Sequence, residues 1–274
     1  MKPDPLVAAL REAARTQVLP RFRALGEGEV MRKSHFADLV TVADLAAEAA
    51  VTAALATVWP DVPVLGEEGV AADPALRDRM ADAPQAVVLD PIDGTWNFAR
   101  GLALFGMLAA VVRQGRPVAG VLYDPVCDDW IEVEADGPAR MRDGRGLDRV
   151  LSVSAVSDVA GMTGYFPAGL FAPEARRAGV LAGLPYGRVL TLRCAAHEYR
   201  MIAQGFAEFS LSGPVPHPWD HAAGVLAVQQ AGGVARFLDG EPYTLARREG
   251  VLLAASSEAV WQRVAADFAG LAAG

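Results

Sequence analysis

Lysine is almost missing from this chain: Lys2 and Lys33 are the only two in 274 residues, and arginine carries the remaining positive charge. Cysteine is as scarce, with Cys127 and Cys194 alone, which excludes a disulfide scaffold and suits a reducing compartment. Long apolar runs are missing too. The longest, Leu102 to Val112, stops at Arg113, well short of the ~20 residues a membrane-spanning helix needs. The opening MKPDPLVAALREAAR breaks its apolar residues with charge, so no export signal is expected and a cytoplasmic protein is. No basic cluster occurs: Lys+Arg 25 against Asp+Glu 33 leaves a net charge of −8, which argues against a general grip on a nucleic-acid backbone. What is present is apolar. A 52% hydrophobic content rules out intrinsic disorder and is enough for one large core or two intimate lobes.

Periodicity places the elements. Val7, Leu10, Ala14, Val18 and Phe22 recur at helical spacing, predicting a helix over Pro5–Arg23. A second helix is expected from Val42 to Trp59, with Thr41 and Asp44 forming a capping box at its start. The β-branched run from Gln85 to Asp90 reads as a buried strand ending in an acid. Leu104–Arg113 and Pro117–Tyr123 around Gln114-Gly115-Arg116 read as a hairpin, with a further strand at Trp130–Glu134. The Gly/Asp/Arg-rich stretch near 136–149 is the expected lobe boundary, dividing residues 1–145 from 146–274. Beyond it, strands near Met162–Phe166, Gly187–Leu190 and Phe206–Leu211 alternate with helices at Pro173–Leu181, Ala195–Gln204 and Pro218–Ala231, the last stopped by Gly232-Gly233. The interleaving predicts a layered α/β protein.

Three acidic clusters sit at element ends: Gly66-Glu67-Glu68-Gly69, Asp90-Pro91-Ile92-Asp93-Gly94-Thr95 and Pro218-Trp219-Asp220-His221. Each alone reads equally as a turn or a helix cap. The central one brings two carboxylates beside backbone N–H groups that can accept an anion. A phosphate there would face like charge unless cations lay between, and Mg²⁺, a hard ion that prefers carboxylate oxygen, resolves the conflict. Two ions could then activate a water and stabilise a leaving oxygen. His217 and His221 flank Asp220, but Pro218 puts His217 outside the helix, so a zinc site is not expected.

With KSHFADLVTVAD (33–44), GEEG (66–69), DPIDGTWNF (90–98) and PWDHAAG (218–224) in this order, the chain resembles the inositol monophosphatase family of Mg²⁺-dependent, lithium-sensitive phosphatases. The resemblance implies a five-layer αβαβα sandwich, an α+β layered fold, and a homodimer. It implies that Glu67, Asp90 and the Ile92 carbonyl hold a first metal and Asp90, Asp93 and Asp220 a second. A third, weaker Mg²⁺ would share Glu67. By the same resemblance Thr95 with Asp44, alongside Glu67, activates the attacking water. Gly94 and Thr95 N–H groups receive phosphate, and Lys33 lies on a flap over the site.

The substrate side departs from the family. A Gly-Ser/Thr-Ala-Ala stretch that touches the sugar alcohol is here Arg193-Cys194-Ala195-Ala196, and Ser212 falls nearest the position of an inositol-binding glutamate. A serine lacks the charged, bidentate acceptance of a carboxylate. Asp93, Ala195, Ser212 and Asp220 are the expected substrate contacts. The expected activity is hydrolysis of a small polyol, sugar or amino-alcohol phosphate. Histidinol phosphate, fructose 1,6-bisphosphate and 3′-phosphoadenosine 5′-phosphate are alternative substrates, and a regulatory protein- or RNA-binding role is the alternative class.

Overall fold

A computed structural model describes residues 2–33, 39–81 and 83–271. Helix α1 (Asp4–Ala13) widens into a π-helical turn over Ala14–Val18 and closes in a 3₁₀ turn at Leu19–Arg21. The single long helix expected over Pro5–Arg23 is thus three geometries, because Pro20 brings no N–H to an α-ladder. A short hairpin of β1 (Val30–Arg32) and β2 (Leu39–Thr41) precedes α2 (Val42–Val58), whose predicted capping box is present. Then follow β3 (Val64–Gly66), α3 (Glu67–Ala72), α4 (Ala75–Ala81), β4 (Gln85–Asp93) and α5 (Thr95–Ala99). The meander β5 (Gly106–Arg113), β6 (Arg116–Asp124), β7 (Asp129–Glu134), β8 (Arg140–Asp143) and β9 (Asp148–Val150) completes a seven-stranded sheet in the order β3 to β9, antiparallel except for β3–β4. Gln114 (φ 50°) and Gly115 (φ 73°) make the predicted hairpin turn, both left-handed as a two-residue turn requires.

The chain then builds a five-stranded sheet from β10 (Thr163–Tyr165), β11 (Arg188–Leu190), β12 (Phe209–Leu211), β13 (Val234–Phe237) and β14 (Leu252–Ala255), in the order β11-β10-β12-β14-β13. Its helices are α6 (Pro173–Gly183), α7 (Ala195–Ala203), α8 (Pro218–Gln230) and α9 (Glu258–Asp267). The first sheet therefore runs on to Val150 before the chain crosses to the second.

Packing stacks these elements in five layers. On β4, Val87 and Leu89 face Leu10, Ala47 and Val51 of α1 and α2, while Ala86 and Val88 face the opposite core with Ala196, Ala223 and Ala227 of α7 and α8. That central core also takes in Tyr165, Leu252 and Ala254 of the second sheet, whose outer face buries Phe209 and Leu253 against Val260, Trp261 and Val264 of α9. The order is the αβαβα sandwich implied by the resemblance. Helix α8 lies between two sheets and is buried almost all round, which explains its small residues. Gly224 is required there, since a Cβ would overlap the Tyr199 ring of α7.

Gly224→Ala should therefore cost about 1–3 kcal/mol of stability, the usual range for overpacking. A lower urea midpoint would register that loss, and an unchanged midpoint would mean that α7 and α8 are not clasped at this point.

Candidate active site

The fold brings the three acidic clusters to one end of β4. The strand runs past Asp90 to Asp93, with a register shift between Asp90, opposite Leu108, and Asp93, opposite Gly106. Pro91 sits within that irregularity, where its missing N–H is harmless. The Ile92 N–H instead donates to Asp90 Oδ1 at 3.0 Å. Gly94 then turns the chain into α5 at φ 86°, packed so closely that a Cβ would lie 3.2 Å from the Arg193 carbonyl, the Cys194 Cβ and the Leu104 carbonyl.

Each acid is held by a different device. Asp93 Oδ2 accepts from the Ala196 N–H and from Cys194 Sγ at 3.2 Å, and the Ala195 N–H also bonds Asp93. Asp90 and Asp220 share a hydrogen bond across the gap between β4 and the first turn of α8. Asp44 uses its two oxygens separately. Oδ2 accepts from the Thr41 N–H (2.8 Å) and hydroxyl (2.6 Å) as the capping box, while Oδ1 lies 3.0 Å from Thr95 Oγ1. Thr95 Oγ1 is also 2.9 Å from the Ile92 carbonyl. Lys33 Nζ donates to Glu67 Oε1 and Glu68 Oε1, both at 2.7 Å. Of the flap expected over 33–44, residues 34–38 lie outside the described residues.

Burial and like charge dominate the electrostatics. Asp44, Asp90 and Asp93 are 1%, 2% and 8% exposed. Burial raises Asp44 to about 6 against the opposing hydrogen bonds from Thr41. It raises Asp93 to about 6 against those from Ala196 and Cys194. Asp90 and Asp220 are pushed well above the carboxylate range by burial, then by Glu67 and Asp93. Burial takes Glu68 to about 7 despite Lys33. Burial also works against the Lys33 charge, but Glu67 and Glu68 outweigh it and raise its pKa. Among the described residues no three of these side chains are already drawn to one point as ligands of an ion; each is engaged by a protein donor instead. The donor set is nonetheless all oxygen, rich in carboxylate and poor in cations, which fits a hard divalent ion.

Two supports escaped the sequence reading. Glu48, one turn beyond Asp44 on α2, accepts from the Glu68 (2.8 Å) and Gly69 (2.7 Å) N–H groups and so caps α3 from 20 residues away. Gly66 makes room for it, because a Cβ there would overlap the Glu48 carboxylate. Asn97 Nδ2 donates to the Leu104 (2.8 Å) and Leu192 (2.9 Å) carbonyls, tying α5 to the loop that bears Cys194. The remaining expected residues divide. Ala195 lies at the cluster through its N–H to Asp93. The Ser212 hydroxyl donates to the Gly213 carbonyl (2.7 Å) and accepts from the Leu252 N–H (2.8 Å), bracing the end of the second sheet. His221 Nδ1 lies 3.0 Å from the Tyr199 hydroxyl, and His217 stacks on Trp219.

The comparisons agree with this architecture. The sequence profile of the inositol monophosphatase family matches residues 3–270. A probable inositol 1-monophosphatase of Mycobacterium tuberculosis is 36% identical over 258 residues, covering 89% of each chain. Among solved structures, an IMPase of Thermotoga maritima superposes with a TM-score of 0.81 at 21% identity, over 98% of this chain and 96% of that one. An inositol monophosphatase from Zymomonas mobilis gives 0.78 at 26% identity, over 97% of both chains.

The raised carboxyl pKa values carry a stability consequence. From about 4, where these acids ionise in the unfolded chain, to the folded values near 6 and 7, the folded state holds more protons, so stability falls as pH rises. Buried His221, lowered by burial to about 3, and His197, also lowered by burial, act in the opposite sense below 6.5 but are outnumbered. Protein stripped of divalent cations should therefore melt at a lower temperature at pH 7.5 than at pH 5.5. The reverse order would contradict the burial of this cluster.

Proposed function

This chain belongs to the inositol monophosphatase family and is a phosphatase of phosphomonoesters, and from that premise we propose a Mg²⁺-dependent hydrolysis of a small polyol, sugar or amino-alcohol phosphate. The observation that supports it most is the Thr95 hydroxyl, set between Asp44 Oδ1 and the Ile92 carbonyl at the edge of the buried acids.

In this reading Glu67, Asp90 and the Ile92 carbonyl would hold one Mg²⁺, and Asp90, Asp93 and Asp220 a second, with a third using Glu67. Bound there, the ions supply the positive charge that lets a phosphate enter and that activates water. The chain's own residues do the rest. Thr95 Oγ1 orients the attacking water and takes its proton as the Thr95 proton passes to Asp44 Oδ1, with Glu67 as the second acceptor. Asp44 suits that task because its Oδ1 lies within hydrogen-bond reach of Thr95 Oγ1, at 3.0 Å. The Thr41 bonds fix the other oxygen, so the reactive one cannot swing away. Backbone N–H groups of Gly94 and Thr95 receive phosphate oxygens. Lys33, which bridges Glu67 and Glu68 at the edge of the cluster, would meet the same anion. Asp93, Ala195 and Asp220 border the departing alcohol. The Ser212 hydroxyl has its one proton committed to the Gly213 carbonyl, so it has no donor to offer the alcohol. Lithium inhibition, a homodimer and a cytoplasmic setting belong to the same proposal; among the described residues no helix is long and apolar enough to cross a membrane.

Purified protein should release phosphate from small phosphomonoesters only with Mg²⁺, and Asp90→Asn or Asp93→Asn should abolish release. Thr95→Ala should lower kcat by about 10²–10⁴, the range for a lost proton-transfer group. Turnover that survives exhaustive EDTA treatment would overturn the mechanism.

A further inference from the structure

Arg193 immediately precedes Cys194, whose thiol donates to Asp93, and its guanidinium lies over the indole of Trp96, 4.2 Å from the ring centroid. Trp96 in turn immediately follows Thr95. The stacked pair therefore joins the two chain segments that frame the catalytic threonine and the Asp93 carboxylate.

The placement is built rather than incidental. Arg193 is a non-glycine residue in the left-handed region, at φ 54°, a conformation that favours glycine and persists where the surroundings enforce it. Here they do: the Arg193 N–H donates to Thr191 Oγ1 at 3.0 Å, Asn97 Nδ2 reaches the Arg193 carbonyl at 3.5 Å, and that carbonyl packs against Gly94. Thr191 is itself bonded to buried Glu198 at 3.1 Å. With its backbone clamped, the side chain is carried onto Trp96, and Arg100 approaches the same ring at 6.0 Å. Neither guanidinium has a carboxylate partner among the described residues, although the whole chain is acidic. Stacking uses one face of the Arg193 plane and leaves its N–H edges open to an acceptor.

We propose that Arg193, braced on Trp96 and assisted by Arg100, is a specificity-determining residue that receives a second anionic group on the alcohol side of the substrate. Preferred substrates are then phosphomonoesters whose alcohol also carries a carboxylate or another phosphate, rather than neutral polyols. This rests on the phosphatase reading above. A guanidinium meeting a carboxylate or phosphate forms paired, charge-assisted hydrogen bonds that a hydroxyl cannot match.

The test is a ratio of kcat/KM values measured with Mg²⁺ on one preparation, so that any loss of folded protein cancels. One arm compares 3-phosphoglycerate with glycerol 3-phosphate, and the other compares fructose 1,6-bisphosphate with fructose 1-phosphate. The wild type should favour the doubly anionic ester in at least one arm, and the arm that responds identifies carboxylate or phosphate. Arg193→Ala should lower that ratio by roughly tenfold or more, mainly through KM. A wild-type ratio at or below one in both arms, or a ratio unchanged in Arg193→Ala, would overturn the proposal. Hydrolysis of none of the four esters by the wild type would instead mark the failure of the phosphatase reading, and this assignment would fall with it.

Discussion

Gathering Asp90, Asp93, Asp220 and Glu67 at the end of one strand is electrostatically unfavourable, and much of the molecule answers to that crowding. Burial and mutual repulsion drive Asp90 and Asp220 far above the usual carboxylate range. The chain tempers this mainly with neutral donors and with one cation. Backbone amides of Ala195 and Ala196 take Asp93, the Ile92 N–H takes Asp90, and Asp90 and Asp220 share a hydrogen bond. Lys33, the single lysine beyond the N-terminus, is committed to Glu67 and Glu68. The acidity of the protein is thus partly local, and its formal charge of −8 overstates the field that a phosphate would meet once counter-ions are in place.

The scaffold follows from holding this crowd still. Strand β4 alternates its apolar residues into two separate cores, so its acidic end cannot shift without disturbing both. Gly94, Gly66 and Gly224 each mark a close approach that a Cβ would block: α5 against the 193–194 loop, α3 against Glu48, and α8 against α7. The last contact fixes α8 against α7, and Ala223 of α8 packs on Gly120 of β6, which together place Asp220 relative to the first sheet. A buried polar arrangement of this kind is stable only if its members are satisfied, and Glu48 and Asn97 supply that satisfaction for the loops.

Much of this was legible in the sequence, for physical reasons that differ by element. The β4 strand, the Gln114-Gly115 hairpin and the Thr41–Asp44 capping box show themselves through short-range patterns, as does the α8 helix stopped by Gly232-Gly233. The convergence of three acidic segments was legible only through the resemblance, because spacing along the chain says nothing of closure in space. Glu48 escaped because its partners are backbone amides 20 residues away, and an amide donor has no side chain to advertise it. The same holds for Ala195 and Ala196 against Asp93. Ser212 differs in kind: its position suggests a substrate contact, and spacing along the chain gives no sign that its hydroxyl also accepts from the Leu252 N–H of β14. The π-helical end of α1 follows from Pro20 acting on a helix that must still bury Val18.

In the proposed reading chemistry and recognition come from different parts of the fold, the acids from β4, α2, α3 and α8 and the basic rim from Arg193 and Arg100 around Trp96. The claim on which the rest stands is that the acids form a divalent-cation site. Anomalous diffraction from crystals soaked in Mn²⁺ tests it most directly. An anomalous peak bounded by Asp90, Asp93, Asp220 and Glu67, with Lys33 displaced from Glu67, is the expected result. No peak among those carboxylates in a well-soaked crystal, with Lys33 still bridging Glu67 and Glu68, would contradict it.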